Sequence, residues 1–197
     1  DSLRVPVEGA LVEALAPLAR ANKTSRFTVM LAAFLALVHR EDGTDDIVVG
    51  TDVAGRDHPE LEKLMGFFVN VVPLRSRRNE AARFTDWLAE VHAGTQSALA
   101  HGGVPFDRIL DLAGLDRAQG TPVRMLFVMQ NTPAGHFEIP GLRIDVVPQR
   151  VRHSKFDIAV FVNEGPREWT AEWVYDTGLY RSESIRRWAA DWCALLR

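Results

Sequence analysis

Asn70 stands between Val69 and Val71 in an otherwise apolar stretch. A carboxamide so placed needs partners, because an unpaired buried polar group costs about 1–3 kcal/mol. Two readings follow. Its amide bonds backbone at a strand end and fixes the fold, or it faces a tunnel and hydrogen-bonds an amide-bearing ligand. His101 precedes Gly102-Gly103 and then Val104-Pro105-Phe106. It reads as a helix C-terminal histidine, favoured by the helix dipole and followed by a glycine stop, with no carboxylate partner to make it a general base. Arg56 and Arg75 each follow a predicted strand. They pair with a carboxylate such as Asp52 or Glu60, or they meet a phosphate or acidic helix on a partner, which the guanidinium fork suits.

Metal chemistry finds little support. Asp42, Asp45, Asp46 and Asp52 lack the ordered spacing of a calcium loop. The histidines His39, His58, His92, His101, His136 and His153 are scattered, and Cys193 is the single cysteine. One cysteine excludes an internal disulfide and a four-cysteine zinc site, and it suits a reducing cytoplasm.

The elements that must position these residues follow from periodicity. Apolar residues at helical spacing predict a helix over Val7–Ala21 and a second, largely buried, over Phe27–His39, capped by Thr24 or Ser25 and stopped at Glu41-Asp42-Gly43. Ile47–Gly50 and Phe67–Leu74 read as strands, separated by a polar loop, Asp52–Glu62, that Gly55 and Pro59 punctuate. Helices are expected over Phe84–His101 and from Pro105 through Leu112. Four strands then follow at Val123–Gln130, Leu142–Val147, Phe156–Asn163 and Trp169–Tyr175, and a closing helix capped by Ser182 or Ser184 carries Trp188 and Trp192. The five tryptophans, Trp87 and Trp169 among them, read as core or edge packing. This order predicts an α/β (α+β layered) fold, a mixed sheet covered by helices.

The chain's 197 residues suffice for one domain or one lobe of a larger one, and no internal repeat divides them. A formal net charge of −3 argues against a nucleic-acid binder that depends on counterion release. No apolar run approaches a membrane span, and the first residues lack signal-peptide character. Asp1 in place of methionine suggests a chain cut from something longer.

Several segments, in order, resemble the later core motifs of the condensation domains of nonribosomal peptide synthetases. Ile47-Val48-Val49-Gly50-Thr51-Asp52-Val53-Ala54-Gly55-Arg56 resembles the family's "DIVVGTPVAGR", with Asp52 where proline is usual. Met65 to Arg75, containing Gly66-Phe67-Phe68-Val69-Asn70, is similar to "IGxFVNTLxxR", and His101 to Asp107 is similar to "HQDYPFE". Gln130-Asn131 resembles the end of "QVMFVLQN", and Lys155-Phe156-Asp157-Ile158 resembles "KFDL". The "RDxSRNPL" motif is poorly kept in Leu115 to Val123, which retains Arg117 and Pro122 with altered spacing. The family's "HHxxxDG" motif is missing, since no two histidines are adjacent.

The resemblance implies the C-terminal lobe of a chloramphenicol-acetyltransferase-like fold, a half-domain spanning 1–197 whose N-terminal lobe would hold the paired histidines. It implies no catalytic residue in this chain, which alone is not a complete enzyme. Gly50, Thr51, Asp52, Gly66, Phe67 and Asn70 are the implied tunnel or substrate-arm residues. Arg56, Arg75, His101, Pro105, Phe106, Arg117, Pro122, Asn131, Phe156 and Asp157 are the implied structural motif residues, and residues near Asn131 to Pro140 form a bridge over the cleft. No metal or dissociable cofactor is implied. Phosphopantetheine arms arrive on upstream and downstream peptidyl carrier proteins, beside the N-terminal lobe and an adjacent adenylation domain. The alternatives are a non-catalytic relative that recruits a tailoring oxygenase, an epimerization domain, and a free-standing acyltransferase.

Overall fold

The computed structural model describes residues 1–56, 58–78, 82–115, 121–130, 141–142, 153–165 and 169–197. Their elements in chain order are β1 (Ser2–Val7), α1 (Gly9–Ala21), α2 (Arg26–Asp42), β2 (Asp46–Val53), a single 3-10 turn (Pro59–Leu61), β3 (Asn70–Arg77), α3 (Phe84–Ala100), α4 (Phe106–Leu112), β4 (Met125–Gln130), β5 (Ile158–Asn163), β6 (Trp169–Tyr175) and α5 (Ser182–Leu195). The six strands form one sheet in the order β1-β6-β5-β4-β2-β3. The β2/β4 and β4/β5 pairs are parallel; the other three are antiparallel. The expected mixed sheet with helical cover is present.

The strands alternate their side chains between two faces. Val49, Phe127, Val160, Val162, Trp173 and Tyr175 join the helices in the main core. There α2 packs against β2 and β4, with α1, α3 and α5 against α2. The aromatic centre holds Phe34 stacked on Phe127 at 5.2 Å between ring centroids and Trp173 edge-on to Trp192 at 6.2 Å. The buried Trp192 indole donates to the carbonyl of Met30 at 3.2 Å, whereas the buried Trp173 indole nitrogen has no hydrogen-bond partner. Leu126, Val128, Ala159 and Val174 point the opposite way and form a second, smaller cluster.

Several expectations need correction. Val7 is the last residue of β1 rather than the start of a helix: Ser2–Val7 pairs antiparallel with Trp169–Val174, and α1 begins at Gly9. The second strand of the β2/β3 hairpin starts at Asn70, not Phe67, and is a sheet edge with alternating burial. α5 has Arg181 in its cap position with no side-chain cap bond, so neither Ser182 nor Ser184 caps it. Ser25 does cap α2, accepting from the Thr28 amide at 3.1 Å, and Gly43 ends that helix at φ 70°. The strand expected at Leu142–Val147 falls, beyond Leu142, outside the described residues.

Candidate functional site

Asn70 opens β3 with both ends of its carboxamide engaged. Nδ2 donates to the Gly102 carbonyl at 2.8 Å and the Val104 carbonyl at 2.7 Å, and Oδ1 accepts from the Phe106 amide at 3.1 Å. These three bonds tie the sheet edge to the α3–α4 turn and so set where Pro105 and Phe106 stand. Pro105 occupies the cap position of α4, and its missing N–H costs nothing where the helix leaves its first amides unpaired. A Cβ at Gly102 would lie 3.0 Å from the Leu99 carbonyl oxygen, a tight contact. His101 ends α3 with Nδ1 against the Ser97 carbonyl at 2.8 Å, one turn back on its own helix.

The chain between β2 and β3 is wrapped around Arg56. Its guanidinium donates to the carbonyls of Leu61 and Leu64 and lies 4.4 Å from the centre of the Phe68 ring. Gly55 turns the chain at φ 63°, and a Cβ there would lie 2.2 Å from the Phe68 carbonyl oxygen. That close approach and the positive φ require glycine. The staple keeps residues 66–69 out of the sheet, which is why β3 begins at Asn70. It also leaves Phe67 90 % exposed beside the open sheet face.

Asp52, Phe67, Asn70, Pro105, Phe106 and Phe156 come together around a cleft of about 710 Å³ on the face of the sheet away from α2. Leu126, Ala159, Phe161 and Val174 line it from β4, β5 and β6. Gly50 lies beneath rather than on it. A Cβ there would come within 2.7 Å of Val123 and 3.0 Å of Leu126 and Val71. Thr51 points to the other face, into a smaller cavity of about 370 Å³ that it shares with Ser25, Arg26 and Asp52. Gly66 packs beside the Phe68 ring and is not among the residues lining the cleft.

The remaining motif residues are structural in their contacts. Arg75 grips Asp46 through two bonds, Nε to Oδ1 at 2.8 Å and a terminal nitrogen to Oδ2 at 2.6 Å, rather than Asp52 or Glu60. Hydrogen bonds from Arg75 and Arg77 hold the Asp46 carboxyl down at about 2. Asp157 is ion-paired with Arg124, and Pro122 is exposed just ahead of β4. Arg117, Asn131 and the expected bridge through Pro140 lie outside the described residues.

Asp107, His153 and Lys155 also line the cleft, and sequence reasoning did not single them out. Lys155 was read only as part of a motif. Burial raises the Asp52 carboxyl above its ordinary value, and Lys155 partly opposes that shift. Among the described residues, no group of three or more His, Cys, Asp or Glu side chains could hold a metal ion. No helix among them is long and apolar enough to cross a membrane.

The family model described as "Condensation domain" matches residues 1–197. The chain belongs to the condensation-domain family. Condensation-domain relatives include gramicidin S synthase 2 of Brevibacillus brevis, 36 % identical over 160 residues, which covers 80 % of this chain and 4 % of that protein. Tyrocidine synthase 3 of Brevibacillus parabrevis is 32 % identical over 182 residues, 91 % of this chain and 3 % of that one. The chain thus spans a small fraction of these curated relatives. The X-domain from teicoplanin biosynthesis matches all of this chain and 46 % of its own length at TM-score 0.89 and 21 % identity. A four-domain nonribosomal peptide synthetase, holo-AB3403, matches all of this chain and 16 % of its own at TM-score 0.89 and 19 % identity. At such identities these structures establish the fold alone, the chloramphenicol-acetyltransferase-like fold of condensation domains.

Proposed function

We propose that this chain is the acceptor-side lobe of a condensation domain that forms amide bonds in a nonribosomal peptide synthetase. The observation that carries this reading is the apolar cleft on the open sheet face, whose rim Asn70 fixes through three hydrogen bonds. A largely apolar concavity with few oriented polar groups suits a thin ligand such as an aminoacyl-phosphopantetheine arm. The N-terminal lobe of the same domain would supply the paired histidines. An upstream carrier protein would bring the donor thioester, and a downstream carrier the aminoacyl thioester, with an adenylation domain adjacent and the cytoplasm as the setting.

In the reaction, the acceptor amine attacks the donor thioester carbonyl. A C–N bond forms, the C–S bond breaks, the thiol of the donor arm leaves, and the amine gives up a proton. Holding two tethered reactants in register supplies much of the rate by proximity and orientation. This lobe's contribution is to position one of them.

Oxygenase recruitment without catalysis is a second reading. It draws support from the teicoplanin X-domain, whose fold likeness to this chain equals that of the synthetase and which has been solved in complex with OxyB. A single-turnover assay on the full-length protein, with loaded donor and acceptor carriers, separates the two. Amide product that disappears when the second histidine of the N-terminal motif is changed to alanine supports the catalytic reading. Absence of product from correctly loaded carriers contradicts it and favours recruitment.

A further inference from the structure

Asp52 sits near the end of β2, opposite Val71 in the register and on the same strand face as Gly50. It is shared by the linings of the two cavities, the open-face cleft of about 710 Å³ and the smaller one of about 370 Å³ beside Thr51 and the start of α2. Its surroundings in the larger cleft are mostly apolar, with Phe67, Val71, Phe106 and Phe156 among them. Among the described residues its carboxylate has no hydrogen bond or ion pair; Lys155 acts on it only at a distance. The contrast with the other carboxylates in β2 and its approach is direct. Asp45 and Asp46 are satisfied by Arg78, Arg75 and Arg77, and each cross-links the β2/β3 hairpin. Among the described residues Asp52 cross-links nothing.

A half-buried carboxylate without a partner is a cost to the fold that a cation delivered into the cleft offsets. Asp107, the other acidic residue on the rim, is exposed in the first turn of α4, where the helix amides favour a negative charge without any ligand. Lys155, the cationic side chain on the rim, is exposed, as is His153.

We propose that Asp52 is a specificity-determining residue of this cleft, its carboxylate receiving an ammonium group carried by the acceptor. The inference rests on the reading of the cleft as the acceptor site. The ammonium has two sources, the α-amine before it reacts or a basic side chain, and both present the same chemistry. Asp52 then holds the acceptor by charge while the aromatic side chains hold its apolar part.

The test uses the full-length protein and three hydrolysis-stable pantetheine amides. The norleucyl amide carries only an α-ammonium, the N-acetyl-lysyl amide only a side-chain ammonium, and the N-acetyl-norleucyl amide neither. Calorimetric titration is expected to show at least one cationic probe binding about tenfold tighter than the neutral one, the gain a single partly desolvated charge pair gives. Which probe gains identifies the source. In Asp52→Asn the gain falls below about twofold while the neutral probe's affinity holds, which also reports an intact cleft. Equal binding of all three probes, or a preference that survives Asp52→Asn, overturns the assignment of Asp52 and leaves the cleft standing. If none of the three binds, the acceptor reading of the cleft fails, and Asp52's role with it.

Discussion

The two faces of the sheet are built from the same strands and spend their side chains differently. Towards α2, the strands contribute Phe127, Val160, Val162 and Trp173 to an aromatic core with almost no exposure, where the indole of Trp192 finds a carbonyl and that of Trp173 does not. Away from α2, they contribute Leu126, Ala159, Phe161, Val174 and a half-buried Asp52 to an open cleft, which Phe67 joins from the adjoining loop. One face earns stability. The other gives some up, because an open apolar floor and a carboxylate without a hydrogen bond or ion pair among the described residues are both costs.

The largest expected effect is on the covered face. Trp192→Ala should destabilise the protein by about 3–5 kcal/mol in urea denaturation, as removal of large buried aromatics does. A much smaller loss would mean that the core is not where stability resides. Asn70→Ala comes next, at about 2–3 kcal/mol, because two carbonyls and one amide lose their partner. Asn70→Asp should be no better, since it removes the donors and sets a charge against two carbonyl oxygens. Phe67→Ala should leave stability within about 0.5 kcal/mol, being a surface truncation, yet weaken binding of a pantetheine amide. If stability and binding fall together, the division between faces is wrong.

Two pH dependences sharpen the same contrast without large energies. Asp52 has a raised carboxyl, so stability falls as pH rises through the window between its ordinary value of 3.8 and its value in the fold. Asp52→Asn should therefore be more stable than the parent at pH 7 and equal to it below that window. Asp46 behaves oppositely: its contribution is present above its ordinary value of 3.8 and is lost as pH falls through about 2. In Arg75→Ala, NMR titration should find the Asp46 carboxyl moved up from about 2 towards 3.8.

Element order was readable in the sequence because helical and strand periodicities differ. The missed element, β1, carries Leu3, Val5 and Val7 at strict alternation, but Val7 was assigned to the helix that follows, and Pro6 interrupts the run. An edge strand tolerates that proline. The start of β3 was misplaced because Phe67, Phe68 and Val69 look like strand interior. What excludes them is the Arg56 staple and the Gly55 approach, contacts that no periodicity encodes. Asn70 was recognisable as a polar residue needing partners, while the identity of those partners, 32 to 36 residues away, was not. Asp107, His153 and Lys155 reach the rim from distant segments, so only the fold assembles them with Asp52.

The most direct test of the division between faces is photo-crosslinking of the full-length protein with an aminoacyl-pantetheine amide bearing a diazirine, mapped by peptide mass spectrometry. Adducts are expected on the cleft-lining segments at Asp52, Phe67 to Val71, Pro105 to Asp107 and Phe156 to Phe161, and they should be lost to excess unlabelled amide. Competed adducts confined to α1, α2 or α5, or none above the unlabelled control, would contradict the account.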